Sequence, residues 1–129
     1  MHQPLVLRDE SVVPGLVVVR MGVNTMSDER LTESAEQCQQ NWGFWGFSVL
    51  EVPDGDYHRL ARQRPAFAAR SRILTADGHD LVEDGFPLLP TLDAPHWTVV
   101  LATPTTALFN RVRAHFRGPI DNPAYRRAR

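Results

Sequence analysis

Trp42-Gly43-Phe44-Trp45-Gly46-Phe47-Ser48-Val49-Leu50 is the stretch whose reading decides the fold of this 129-residue chain. It holds two of the three tryptophans and two of the six phenylalanines. Trp45, Phe47 and Val49 alternate with Gly46, Ser48 and Leu50, the period-2 pattern of a strand with one face in a core. Gly43 and Gly46 carry no side chain, so a bulge, a crossing helix or a ligand is expected close to the backbone there. The stretch therefore predicts an aromatic core strand over 44–52, with Ser48 and a glycine backbone open to a bound molecule.

Working outward, Leu16-Val17-Val18-Val19-Arg20-Met21 is β-branched and nearly unbroken, which predicts a strand buried on both faces and ending in Arg20. Pro95-His96-Trp97-Thr98-Val99-Val100-Leu101 is a second alternating run. It sets Trp97, Val99 and Leu101 on one face and His96, Thr98 and Val100 on the other. Between the first two strands, Ser27 before Asp28-Glu29 starts a helix with acids at the positive end of its dipole. Leu31, Ala35 and Cys38 form its narrow apolar stripe, with Cys38 as a small buried hydrophobe.

Asp56 caps a short helix over 57–64, which Pro65 stops. Residues 70–74 read as a short strand or extended link. Thr75 then caps a further helical turn running to Glu83, with Gly85 at its C-terminal cap. Leu108, Val112 and Phe116 recur every four residues and predict a last helix ending at Gly118-Pro119. The whole reads as an α+β fold, a small mostly antiparallel sheet with peripheral helices. A single domain is expected over 1–120, with a loosely held basic tail over 121–129.

Composition is that of a globular chain, with 43% hydrophobic and 22% charged residues and a net charge of −1. Cys38 is the only cysteine, which excludes an internal disulfide and a cysteine-based zinc site and points to a reducing compartment. No apolar run approaches the ~18–20 residues of a membrane span, and the first ten residues lack a signal-peptide layout. A cytoplasmic protein without membrane association is the expectation. All 14 basic residues are arginine, a side chain that binds phosphates and carboxylates through two parallel bonds and stacks on flat rings. Six of them (Arg111, Arg113, Arg117, Arg126, Arg127 and Arg129) fall in the last 19 residues, against one acid, Asp121.

The chain contains no glycine-rich phosphate loop, no nucleophile elbow and no His-Glu-x-x-His. The five histidines show no metal-ligand spacing, so no metal is expected. His58, His79 and His115 read as surface or loop residues. His96 follows a proline at the start of a core strand, where a neutral imidazole is held rigidly enough to orient a substrate or act as a base. Arg20, Ser48 and His96 each lie on, or at the end of, a predicted core strand, and three such groups on adjacent strands converge on one cleft.

Taken in order, these features look like a known family. A strand ending in arginine is followed by an aromatic-Gly-Phe-Ser-Val strand, a helical segment with Gly85, a Pro-His-Trp-Thr-Val-Val strand and a basic tail. Over roughly 16–101 the chain resembles small ADP-ribosyltransferase-like toxins, type VI secretion effectors of that fold and their toxin–antitoxin relatives. The resemblance implies that Arg20 and Ser48 help bind nicotinamide adenine dinucleotide (NAD), with arginine on the pyrophosphate and Trp45 or Phe47 stacked on the nicotinamide. It further implies modification of a macromolecule, His96 as the third-motif residue, and a partner antitoxin or immunity protein covering the cleft.

The chain departs from that pattern where many members carry a glutamate in the third motif. With Glu51 and Glu83 set aside, only Asp93 and Asp121 are near. Either His96 substitutes or the fold has another use. The alternative is a non-enzymatic module whose C-terminal arginines hold an acidic protein or RNA. A small ribonuclease would require His96 to have a second histidine or an arginine as partner, and the sequence singles out no such pair.

Overall fold

The computed structural model describes residues 4–22 and 24–126. It is an α+β fold built on one six-stranded antiparallel sheet with four helices. In chain order the elements are β1 (Val17–Met21), α1 (Asp28–Trp42), β2 (Trp45–Val52), α2 (Tyr57–Gln63), β3 (Arg72–Asp77), α3 (Gly78–Glu83), β4 (Leu88–Leu89), β5 (His96–Leu101), α4 (Thr106–Arg113) and β6 (Arg117–Asp121). Across the sheet the order is β4-β5-β2-β1-β3-β6. A 3-10 turn, Pro65–Ala69, follows α2.

The aromatic stretch lies where its pattern placed it. β2 pairs with β5 along its length, from Trp45↔Leu101 to Leu50↔His96, so the two alternating runs share faces. One face holds Phe47, Val49, Trp97 and Val99 with Val18, Leu74 and Ala76, and is closed by Leu31 and Ala35 of α1, Leu81 of α3, and Phe109 and Val112 of α4. The other face holds Val19, Val52 and Ile73 and is covered by Leu60 of α2, Phe67 of the turn and Ala124.

The two glycines have separate reasons. Gly43 adopts φ 82° as the left-handed residue ending α1, with its N–H on the Gln39 carbonyl. At Gly46 a Cβ would lie 2.6 Å from the Val99 carbonyl oxygen and 2.8 Å from Thr98 Cγ2. The close neighbour expected there is thus the adjacent strand.

Ser27 caps α1 through its hydroxyl on Arg30 N, and Asp56 caps α2 on Arg59 N, as their sequences predict. Three expectations change. β3 runs on through Thr75 to Asp77, because Leu74 and Ala76 face the core, and Asp77 caps α3 in place of Thr75. α4 ends at Arg113 rather than at Gly118; residues 117–121 form an exposed edge strand paired with β3, the one kind of strand in which a proline such as Pro119 is tolerated.

The segment after Asp121 is tied down as far as Arg126. Asn122 and Ala124 are buried, and Asn122 Nδ2 donates to the Phe67 and Arg70 carbonyls, each at 2.9 Å. His2, Arg127 and Arg129 lie outside the described residues. No helix among the described residues is long and apolar enough to cross a membrane.

Candidate functional site

β1 stays with β2 only from Val17↔Val52 to Val19↔Leu50, while it remains paired with β3 as far as Met21↔Ile73. Past Leu50 the sheet therefore splits, and a backbone carbonyl on the edge of β2 loses its strand partner. Arg20 fills that role. Its guanidinium donates to the Ser48 carbonyl at 3.0 Å and to the Thr25 carbonyl at 2.7 Å, and lies 5.2 Å from the Phe47 ring centroid. Burial pushes Arg20 down to about 10, so it is charged at neutral pH.

A three-lobed groove opens at the split. The middle lobe, about 350 Å³, is bordered by Arg20, Ser48 and His96 together with Thr25, Arg64, Phe67 and Arg70. An inner lobe of about 190 Å³ shares Ser48 and His96 with it and reaches Ser34, Cys38 and Trp42 of α1. An outer lobe of about 510 Å³ shares Arg20, Thr25 and Arg70 and adds Arg30 and Glu33. Arg20, Ser48 and His96 thus border one groove.

The aromatic residues assigned to stacking sit differently. Phe47 borders the inner lobe but is 2% exposed, with the Arg20 guanidinium 5.2 Å and the Phe116 ring 6.1 Å from its centroid, so its ring is closed to a ligand. Trp45 packs half-buried against the core and borders none of the three lobes. The tryptophan on the groove is Trp42.

His96 is held by residues that the sequence did not single out. Its Nδ1 lies 2.8 Å from Thr91 Oγ1 and 3.3 Å from the Thr91 carbonyl, and Thr91 Oγ1 lies 2.8 Å from Thr98 Oγ1. A carbonyl only accepts, so this network assigns the proton to Nδ1 and lets the Thr91 hydroxyl donate onward to Thr98, leaving Nε2 with its lone pair. Burial lowers the His96 pKa below its ordinary value; the Thr91 carbonyl opposes this, while the positive charges of Arg64 and Arg8 add to it. Arg8 also fixes the loop from behind, donating to the Thr91, Leu92 and His96 carbonyls at 2.8, 3.1 and 2.7 Å. The product is a rigid, neutral imidazole with one basic nitrogen uncommitted.

The charged side chains on the middle lobe, among the described residues, are Arg20, Arg64 and Arg70, and the inner lobe has no arginine. Among the described residues no carboxylate borders the inner or middle lobe, and the outer lobe has Glu33, 3.5 Å from Arg30. Asp93 approaches only through its carbonyl, 3.5 Å from Arg64, and Asp121 faces Arg72 on the edge strand. Burial raises the Cys38 thiol to about 11, which keeps it protonated and fits its expected role as a buried hydrophobe.

A separate group on α3, His79, Asp80 and Glu83, places possible metal-ligand atoms within 4.8 Å of one another at the surface. His79 and Glu83 face each other at 3.5 Å, the spacing of an ordinary helical ion pair. Compared with family models, curated proteins and solved structures, the chain gives no significant match to any.

Proposed function

We propose that the groove binds a pyrophosphate-bearing dinucleotide of the NAD type. On this reading the chain acts in the cytoplasm as an ADP-ribosyltransferase-like toxin on a macromolecular target, held in check by an antitoxin or immunity protein. The observation that carries the reading is the convergence of Arg20, Ser48 and His96 on one groove whose middle lobe has three arginines and no acid among the described residues. A pyrophosphate is held best where guanidinium groups meet it without a competing carboxylate. Three adjoining lobes give room for an extended ligand, and Trp42 borders the inner one.

In such a transfer the bond from the ribose C1′ to nicotinamide breaks and a bond from C1′ to the target's nucleophile forms. The proton that the nucleophile loses goes to His96 Nε2, whose lowered pKa keeps it ready to accept at neutral pH. Among the described residues Glu33 is the one carboxylate on the groove, and its place in the outer lobe makes His96 the better candidate for that proton.

The alternative, a basic C-terminal surface for an acidic protein or RNA, loses support from two of its arginines. Arg111 is engaged by Asp84 at 3.0 Å and Arg113 by Asp28. The test is NAD titration by calorimetry alongside growth of a bacterial host expressing wild type or His96→Ala. Saturable NAD binding, with toxicity present in wild type and absent in a soluble His96→Ala, is expected. Harmless wild type that does not bind NAD would sink the reading.

A further inference from the structure

Arg64 and Arg70 flank the 3-10 turn Pro65–Ala69, and both border the middle lobe; Arg70 also borders the outer one. Neither is in an ion pair with a carboxylate among the described residues. The polar contact of Arg64 is with the Asp93 carbonyl at 3.5 Å, at the limit of a hydrogen bond. Elsewhere on the molecule Arg59 is matched to Asp54, Arg72 to Asp121 and Arg111 to Asp84. Arg20 in the same groove has both guanidinium ends on backbone carbonyls.

The backbone beneath these two side chains is fixed at several points. Phe67 is fully buried under the turn, and its N–H bonds the Arg64 carbonyl at 2.9 Å. Asn122 Nδ2 bonds the Phe67 and Arg70 carbonyls, and Arg126 N bonds the Ala68 carbonyl at 2.8 Å. The C-terminal segment thus braces the turn from behind and holds two uncompensated guanidinium groups on one side of the groove. Fixed backbone with unengaged charged ends is the arrangement that lowers the ordering cost of binding an anion.

We infer that Arg64 and Arg70 form a phosphoryl-group subsite, taking a phosphate or pyrophosphate moiety beside His96. The inference deepens the function proposed above, since it assigns part of the same groove, but it does not require the ligand to be NAD. It carries a consequence for His96. An anion between Arg64 and Arg70 offsets the positive charge that now helps hold the imidazole neutral, so ligand binding raises the His96 pKa.

The test uses inorganic pyrophosphate, followed by calorimetry and by the pH titration of the His96 ring resonances. Wild type is expected to bind saturably, with the His96 pKa raised in the complex. Arg64→Ala and Arg70→Ala each weaken binding about tenfold to a hundredfold, the range for losing a charge-assisted bond. Arg111→Ala, on a distant helix, leaves binding unchanged. Absence of saturable binding, or equal loss in Arg64→Ala and Arg111→Ala, overturns the subsite. A parallel NAD titration separates the two proposals. If NAD binds the Arg64→Ala/Arg70→Ala double variant as well as wild type, the subsite falls and the NAD reading stands. If pyrophosphate binds wild type but not the double variant, and NAD binds neither, the subsite stands and NAD is the wrong ligand.

Discussion

The two faces of the sheet are built from the same strands and finished in opposite ways. On one face α1, α3 and α4 close over Phe47, Val49, Trp97 and Val99, and the Trp97 indole donates to Glu51 Oε1 at 2.9 Å. On the other, α2 and the turn after it cover Leu60, Phe67 and Val19, but they stop short of Ser48 and His96, which border the groove. Neighbouring residues therefore have unlike jobs: Phe47 beside Ser48, and Trp97 beside His96. Strand alternation converts one residue of sequence into the difference between core and site.

The comparison breaks most sharply at Trp97. It is 1% exposed and spans the closed face. Trp97→Ala should destabilise the fold by about 3–5 kcal/mol, the cost of deleting a large buried aromatic. His96→Ala, one residue away, should cost far less and leave a cooperative transition. Urea unfolding of the two variants decides the matter, and equal losses of stability would show that the open face is as structural as the closed one.

Alternation is also what made this much of the fold legible. β2 and β5 could be read because Trp45-to-Leu50 and His96-to-Leu101 keep strict period 2, and α1 because Ser27 is followed by a stripe at Leu31, Ala35 and Cys38. What the stacking assignment overlooked is burial: Phe47 packs into the core at 2% exposed, while its neighbour Ser48 is exposed. Thr91, Arg8, Arg64 and Arg70 were out of reach for another reason. Their roles come from loops meeting across long sequence separations, Arg8 with His96 for example, and no local period encodes that. The edge strand 117–121 was missed because all five of its residues are exposed, which leaves no apolar pattern to read.

On the open face the next largest effect is at Asn122. Its amide nitrogen satisfies two carbonyls of the turn and its Oδ1 accepts from Ala124 N at 2.9 Å. Asn122→Ala leaves the Arg70 carbonyl and the Ala124 N–H without this partner, while the Phe67 carbonyl keeps the Arg70 N–H at 3.2 Å. The cost is about 1–3 kcal/mol for each orphaned group that water does not reach. The melting temperature should fall, and amide exchange should speed up over residues 64–70 while β2 and β5 keep their protection. Uniform loss of protection would show that the C-terminal segment holds the whole sheet rather than one wall of the groove.

His96 gives a smaller effect with a defined sign. Its folded pKa lies below the ordinary value of about 6.5. Between those two values the unfolded chain binds a proton here that the folded chain does not. His96 therefore contributes its full stability above about pH 6.5 and loses it as the pH falls toward the folded pKa. His96→Gln should flatten the stability curve below about pH 6.5 relative to wild type. A wild-type curve that is no steeper than the variant's would place the imidazole in water, outside the Thr91 network.

The smallest effect expected is at Arg111, and it bears on the comparison from outside the groove. Arg111 and His115 of the α4 region both meet Asp84, whose carboxyl is held below its usual range by His115 first and by Arg111 second. A depressed carboxyl stabilises the fold above its unfolded pKa and loses that contribution in acid, as the pH falls through the folded value. The cluster is at the surface, where solvent and salt screen it. Arg111→Ala should therefore lower the melting temperature at pH 7 only slightly, and that small difference should vanish in acid once Asp84 is protonated. Arg64→Ala should likewise leave the fold nearly unperturbed, because its hydrogen bond to the Asp93 carbonyl is stretched to 3.5 Å, and should instead change what the groove binds. Two surface arginines with equally small effects on stability and opposite effects on anion binding would separate a charge that is neutralised by the fold from one that the fold leaves for a ligand.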